Sequence, residues 1–480
     1  MSTTPADLFV ELWCRAALWS ASVVANVKLP PDEFNDDVVR ILSVESGEDA
    51  YNNLKLLVED YEGSPRRGVI LSCLKEMDKF FYQIHPRALH HPGMAYSQLP
   101  KMHWLRRLQA IRLTTGCYAN FNGRLLIPKG PLTRIARPAA ASSAYCFKDN
   151  FSALSVVTPE STVDEVPISI NIVAKATGAV DGVIGEGIYK DRLVAFMPVA
   201  EEASNIDVVA RDGEGVSFVN FKAAESFDVP KKVKEVFQGI SAADIIVAPE
   251  LVISEVDSRS IASDIRGGQN SFRLFLAGTG HTEEFRDEQS WNEARVYNEL
   301  GKVLWTQRKI WLADIPPHRA SDMGLELDKR FIEDNVSGHE LTVADFDGFG
   351  RCVILICQDL NSAPLAEYVI RHYQPDWVFV PILDVGVSIG RWFHQRLLHL
   401  VTMSPARYLV VSSLSLAERA KYSDVACGMA MGPQDHDENN PRAVCVAKLD
   451  KADAVGKGCA MINWADAWGE TRICFKDIEK

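Results

Sequence analysis

Along the first quarter of the chain apolar residues recur at helical spacing, whereas over much of the remainder they gather into short runs. Stretches such as "DAYNNLKLLVEDY" and "MHWLRRLQAIRL" place Leu, Val and Ile three and four positions apart, so residues 1–127 are expected to be mainly helical. Over 7–26, Asp7, Glu11 and Arg15 fall every four residues, predicting an amphipathic helix with a Glu11–Arg15 pair rather than a leader or membrane span. Residues 128–145, "PKGPLTRIARPAAASSAY", break the pattern with Pro, Gly, Ala and Ser and predict a linker. In 146–205, Ile168, Ile170 and Ile172 alternate with Ser169 and Asn171, as on a half-exposed strand; this segment reads as a strand-containing connection. Residues 206–480 carry the runs "VSFVNF", "DIIVAPE", "FRLFLAGT", "RCVILIC", "DWVFVPI" and "RYLVVSS", with helix-length segments between several of them. That texture predicts an α/β domain whose sheet is covered on both faces. "ARVYNELGKVLW" predicts a hairpin turning at Asn298–Gly301.

The 480 residues, 47% hydrophobic and 24% charged, leave room for more than one core, because single cores stop growing near ~250–300 residues. Ten cysteines without a CxxC pair predict reduced thiols in a cytoplasmic protein. No metal site is expected. Cys352 and Cys357 would point to opposite faces of one strand, and the adjacent side chains of His90 and His91 diverge.

The net charge of −13 hides an asymmetry. From Lys79 to Lys148 there are eleven Lys and Arg and no acid, so the other 410 residues carry about −24. One reading pairs these cations with the acidic remainder of the chain. The other makes residues 79–148 a site for nucleic acid or an acidic protein. There Arg106, Arg107 and Arg112 would meet phosphates, with Trp104, Tyr96, Tyr118 or Phe121 as stacking platforms.

Reactive groups in covered sheets sit at strand ends, where the sheet opens to solvent. Glu250 follows the Pro that stops "DIIVAPE", Lys309 lies in "LWTQRKIWL" and Cys357 closes "RCVILIC". A thiol whose free pKa is about 8.5 needs a base. A carboxylate can serve as that base, and an ammonium can hold the carboxylate and stabilise an oxyanion. Acid, amine and thiol together suit acyl transfer.

"IIVAPEL", "RKIWL" and "LICQDL", in that order, resemble the Glu, Lys and Cys motifs of the nitrilase superfamily of carbon–nitrogen hydrolases. The resemblance covers roughly 210–465. It implies a four-layer αββα sandwich, preceded here by the mainly helical N-terminal domain, and a cofactor-free hydrolase of small amides or nitriles, assembled as a homodimer or higher oligomer. By the resemblance Cys357 is the nucleophile, Glu250 the base, and Lys309 with the backbone N–H of Gln358 the oxyanion donors. Glu333 of "FIED" is the second glutamate, with Asp334 its competitor in register, and Asp359 is a structural anchor. Two departures leave the substrate open. Gln358 stands where most members carry an aromatic residue, and "RWFHQRLLHL" replaces an Arg-Ala helix, keeping Trp392, which with His394 is a candidate for the pocket wall. The roughly 200 residues beyond a standalone amidase suggest a regulatory or partner-binding N-terminal domain. An alternative is a nitrilase-like effector or assembly subunit of a nucleic-acid-linked system such as bacterial antiviral defence, where such modules occur fused to reverse transcriptases.

Overall fold

The computed structural model describes residues 3–86, 101–130, 147–158, 163–173, 192–213, 216–240, 243–268, 272–326, 329–346, 349–404, 406–423, 425–433, 442–449, 458–464 and 473–476. Most of the expected linker, His90, His91 and Tyr96 lie outside them.

The N-terminal region comprises α1 (Pro5–Ala16), α2 (Ala21–Ala25), α3 (Asp32–Leu42), α4 (Gly47–Asp60), α5 (Arg66–Phe81) and α6 (His103–Thr115). An antiparallel sheet of β1 (Ala119–Phe121), β2 (Arg124–Pro128) and β3 (Leu154–Val157) closes it. The periodic apolar positions meet in one core, where Phe9, Val38, Leu54, Leu74 and Phe81 pack with Leu126 and Leu154. The Glu11–Arg15 pair forms. The single helix expected over 7–26 does not: the chain turns at 17–20, and Trp19 leaves the helix to meet the Phe147 ring at 5.9 Å. The last residues of 1–127 are strand, because β2 must present Leu126 to the helices and Ile127 to the next layer.

In the remainder of the chain β4 (Ile168–Val173), β5 (Arg192–Phe196), β6 (Ile206–Asp212) and β7 (Ser217–Ala223) are followed by α7 (Val229–Gly239), β8 (Ala243–Val247) and α8 (Glu255–Gly267). Then come β9 (Phe272–Arg286), β10 (Gln289–Asn298), β11 (Val303–Arg308), β12 (Asp314–Ile315), α9 (Pro317–Ala320), β13 (Phe331–Glu333), β14 (Leu341–Phe346) and β15 (Gly350–Ile354). After these lie α10 (Gln358–Asn361), α11 (Ala363–Tyr373), β16 (Trp377–Ile382), α12 (Trp392–Leu400), β17 (Arg407–Ser412) and α13 (Ser415–Arg419). The strands β18 (Gly428–Pro433), β19 (Arg442–Ala447), β20 (Ala460–Trp464) and β21 (Ile473–Lys476) complete the order.

Two seven-stranded sheets result, one ordered β11-β10-β9-β8-β5-β20-β21 and the other β19-β18-β17-β16-β15-β14-β4. Their inner faces share a core in which Val194, Ile245 and Leu276 lie with Ala344, Ile354 and Leu409. Val233 and Val236 of α7 and Ile261 and Ile265 of α8 cover the outer face of the first sheet, over Ile246 and Phe275. Leu365 and Val369 of α11 and Phe393 and Leu397 of α12 join the core of the second. The architecture is α/β, a four-layer αββα sandwich behind a mainly helical N-terminal part. Strands β4 and β5, from the segment read as a connection, belong to the two large sheets. The hairpin turn falls where the pattern puts it, with Gly301 N–H donating to Asn298 O at 3.0 Å. Among the described residues no helix is long and apolar enough to cross a membrane.

The basic stretch meets the sandwich from inside the fold. α6 ends on Gly116, at φ +80°, where a Cβ would lie 2.6 Å from Ile170 Cγ2 on β4. One turn earlier, buried Arg112 donates to Asp345 Oδ2 at 3.2 Å, and Asp345 is shared with buried Arg351. Although burial acts to raise it, the two guanidiniums hold the Asp345 carboxyl below its usual range. Arg112→Leu is expected to lower stability in urea by ~1.5–3 kcal/mol, the worth of a hydrogen bond to a charged group, because Arg351 still neutralises the acid. A variant as stable as wild type would show that this contact does not hold α6 to the sheet.

Candidate active site

Glu250 stands three residues past the end of β8, on a turn fixed by tight backbone contacts. Leu251 takes φ +60° and donates its N–H to Thr279 Oγ1 at 3.0 Å. Gly278 takes φ +61°, and a Cβ there would fall 2.0 Å from Pro249 O, so only glycine lets β9 pass this close. Lys309 follows the last residue of β11 and donates its N–H to Asn292 O on β10 at 2.9 Å. Glu333 ends the short strand β13. Three different strand ends thus supply the three charged groups.

These side chains converge in the buried interior. Lys309 Nζ donates to Glu250 Oε1 at 2.7 Å and also to Glu333 Oε2. Asn292 Nδ2 bridges the same two acids, donating to Glu250 Oε1 at 3.0 Å and Glu333 Oε1 at 2.9 Å. The remaining oxygen of Glu250 accepts the Leu383 N–H at 2.9 Å, and Glu333 accepts the Ala313 N–H at 3.0 Å. All four side chains are essentially sealed, at 0–2% exposure, so the carboxylates cannot rely on water. Asp334, the competitor for the "FIED" acid, points elsewhere and pairs with Arg211 at 2.6 Å.

Cys357 lies three residues past β15, yet its N–H still donates to Pro381 O at 3.0 Å, which fixes the backbone. There the chain bends sharply, with Cys357 at φ +48° and ψ −104°, and α10 begins at Gln358. A non-glycine residue in such a conformation costs ~1–3 kcal/mol and persists only where its surroundings enforce it. Asp359 enforces it: its carboxylate accepts the N–H groups of Ile310 at 3.1 Å, Trp311 at 2.8 Å and Ile356 at 3.2 Å. One buried acid thus ties the segment after Lys309 to the bend that carries Cys357. Burial pushes Asp359 up to about 7, against the pull of those backbone donors and of Lys309.

The electrostatics follow from burial and charge count. Burial raises Glu250 above its ordinary 4.5; Lys309 opposes the shift and Glu333 adds to it. For Lys309 burial acts downward, but Glu250, Glu333 and Cys357 outweigh it and keep the ammonium charged. Burial raises the Cys357 thiol well above 9, with Glu250 adding and Lys309 opposing. Cys357 is therefore held as a thiol rather than a thiolate.

A pocket of about 260 Å³ opens onto Cys357, Glu250, Lys309 and Glu333. Gln358 and Trp392 line it too. Trp392 is held by its Nε1–H, which donates to Asp384 Oδ2 at 3.0 Å. His394 is outside the wall, accepting the Gly390 N–H at 3.2 Å on the surface. Three wall or supporting groups went unmarked in the sequence: Asn292, Asp384 and Arg319. Asn292 sits in "SWNEARVYN", where only its inward register on β10 distinguishes it, while Asp384 and Arg319 find each other across 65 positions of chain.

The stacking platform expected at Trp104 is absent. Trp104 is 4% exposed and spends its Nε1–H on Val44 O at 3.0 Å, because it fills the core beside Phe80 and Phe81. Tyr118 is buried as well, and Arg112 is committed to Asp345. Of the cations named for phosphate, only Arg106 and Arg107 face solvent.

No protein-family model matches the chain, and no curated protein matches it. Among solved structures, it is similar to Nit3 of Saccharomyces cerevisiae, a member of branch 10 of the nitrilase superfamily. That match has 12% identity over 54% of this chain and 92% of that one, with a TM-score of 0.35. It is also similar to an amidase from Nesterenkonia sp., at 14% identity over 49% of this chain and 80% of that one, with a TM-score of 0.31. A carbon–nitrogen hydrolase from Helicobacter pylori G27 matches at 10% identity over 51% and 82%, with a TM-score of 0.31.

Proposed function

We propose that the chain hydrolyses a non-peptide carbon–nitrogen bond of a small amide or nitrile through a covalent thioester on Cys357. The observation that carries this reading is the sealed Glu250–Lys309–Glu333 cluster, set against a thiol on an enforced bend at the wall of a small pocket.

The chemistry follows from the hydrogen bonds. Glu250, raised by burial, takes the thiol proton as sulfur attacks the carbonyl carbon, and passes it to the departing amine. Lys309 has three N–H donors and spends two on Glu250 and Glu333, which leaves one for the oxyanion. The N–H of Gln358, first in α10 after the nucleophile, is the second donor. Glu333 and Asn292 fix the ammonium and the base and do not touch the scissile bond. Water, deprotonated by Glu250, then releases the acid. With a nitrile the same attack gives a thioimidate.

The direct test is intact-protein mass spectrometry after brief incubation with simple amides, together with an ammonia assay. An acyl adduct on Cys357 is expected. Ammonia release that persists in Cys357→Ala would remove the reading. A pH profile tests the proton inventory. Attack requires Glu250 to be ionised, so kcat/KM should rise with pH through an inflection above the ordinary 4.5. The thiol, held protonated well above 9, should impose no inflection near its usual 8.5. An acid limb at or below 4.5 would show that the base is not the buried acid.

A further inference from the structure

Besides the two large sheets and the N-terminal one, a four-stranded sheet is ordered β12-β13-β7-β6, and β6 ends it. Its seven residues, "IDVVARD", pair with β7 from Ile206↔Ala223 to Asp212↔Ser217 without a break in register. The bonds at the two ends of that ladder fix its parity. Gly213 N–H donates to Val216 O at 3.0 Å and Ala224 N–H to Asn205 O at 2.9 Å, so the odd positions 207, 209 and 211 turn their backbone groups toward β7. The even positions turn theirs to the open edge. Ile206 bears this out, its carbonyl accepting from Arg419 Nη2 at 2.8 Å. Among the described residues no strand takes up the N–H and C=O groups that Val208 and Ala210 present there. Proteins commonly blunt such an edge with Pro, Lys or a bulge. β6 has none of these, and its face of Asp207, Val209 and Arg211 is exposed, Val209 at 50%.

This strand is complementary to itself. Laid antiparallel about a twofold axis at Val209, one copy sets Val208 against Ala210 of the other, and the open N–H and C=O groups then bond across the seam. Asp207 faces Arg211 of the second copy, twice by symmetry, and Val209 faces Val209. Shifting the register by two residues in either direction puts Asp207 or Arg211 opposite Val209 and loses both ion pairs. Arg211 is already held at the surface by Asp334, through Nε at 2.6 Å and Nη2 at 2.7 Å, and its Nη1 takes no part in that pair. The sheet so formed has eight strands and runs from one pocket to the other, because β7 supplies Phe221, β12 Ile315 and β13 Glu333 to the pocket wall.

We propose that the open edge of β6 is an interaction surface for a second copy of this chain, joined by antiparallel pairing of the two strands. It stands independently of the hydrolase reading. One short strand against another covers little of the ~1,200–2,000 Å² that stable interfaces bury, so the dimer is expected to be reversible. Sedimentation equilibrium of the full chain should show twice the chain mass emerging as concentration rises. Val209→Lys sets two ammonium groups against each other on the axis, and Asp207→Arg sets a guanidinium against Arg211. Each should weaken association on the order of tenfold, because like charges then stand opposite one another, while thermal unfolding shows the variant folded. Val209→Cys gives a positive readout. Cα atoms of a non-hydrogen-bonded antiparallel pair lie ~4.5 Å apart, within the ~4.4–6.8 Å span of a disulfide, so this variant should cross-link to a dimer under mild oxidation. Val303→Cys, at 46% exposure on another edge strand, is the control and should not cross-link at that rate. A dimer that ignores Val209→Lys and Asp207→Arg, or a Val209→Cys variant that cross-links no faster than the control, would mean that the copies meet through another face and would overturn the proposal. So would a chain that stays monomeric at every concentration. Rapid maleimide labelling of the Val209→Cys variant would then leave the edge to a different protein, and slow labelling would show that its own chain covers it.

Discussion

Replacing Cys357 by alanine is expected to reduce turnover by on the order of a million-fold, the scale seen when a nucleophile is removed from an interlocked catalytic unit. The fold should survive, because the change deletes one sulfur at a site that already borders a pocket. It also removes a thiol whose proton the folded state holds more tightly than the unfolded chain does. A raised folded pKa gives stability that is present below the unfolded value, ~8.5 for a thiol, and lost as pH rises through the folded value. Wild type should therefore weaken above about pH 9 by a component that Cys357→Ala lacks. Glu250→Gln should cost nearly as much activity as Cys357→Ala, and the double variant little more than either single one, since base and nucleophile act in the same step. Steady-state kinetics on the three variants provide the check. Losses that multiply would mean that Glu250 and Cys357 do not share a proton.

Part of this site is legible in the sequence for a physical reason. Glu250 and Cys357 each follow an apolar run at the point where a strand must stop, and Lys309 follows the last residue of β11, so three strand ends in order supply the three groups. The register of "FIED" is likewise readable once β13 is short, because a two-fold alternation sends Glu333 inward and Asp334 outward to Arg211. Asn292 is not readable. An asparagine in a strand looks like an outward polar position until Glu250 and Glu333, from distant parts of the chain, are brought onto its amide. Nor is the Arg319–Asp384 contact, which depends on how the loops after β12 and β16 meet.

The N-terminal region shows the same limit. Its helices are visible from spacing, but the partners of its basic stretch are not. A run of cations without acids fits an anion site and an internal seam equally well. The choice depends on where Asp345 lies, some 230 positions away, and that contact makes Arg112 part of a seam. Trp104 illustrates the converse. An aromatic residue among arginines resembles a stacking platform, yet at helical spacing it equally marks a buried face, and here it fills the core with Phe80 and Phe81.

Lys309→Met is expected to damage stability and activity together, and in a way that pH can separate. The ammonium is the only cation among the described residues bonded to Glu250 and Glu333, which are buried at 1% and 2% exposure. Removing one partner of a buried ion pair costs ~3–5 kcal/mol, because the charge left behind keeps its desolvation penalty. The protein can relieve that penalty by protonating an acid. Lys309 is the main influence that lowers Glu250, so without it the folded-state pKa climbs further above the unfolded one. Stability contributed by a raised carboxyl is fully present below the unfolded pKa and is lost as pH rises through the folded one. The variant should thus lie close to wild type near ~pH 5 and fall away from it toward ~pH 8, as read by urea midpoints. Adding Glu333→Gln removes the surplus charge and should recover stability at the higher pH, a coupling of opposite sign to simple damage. Activity should not return with it. The oxyanion loses a donor worth ~2.7–4 kcal/mol, or 10²–10³ in kcat, and no substitution at position 333 supplies another. A single variant that tracks wild type at every pH would show that the two acids are not held as an ionised pair around the lysine. The proton inventory proposed for catalysis would then have to be redrawn around a neutral Glu250.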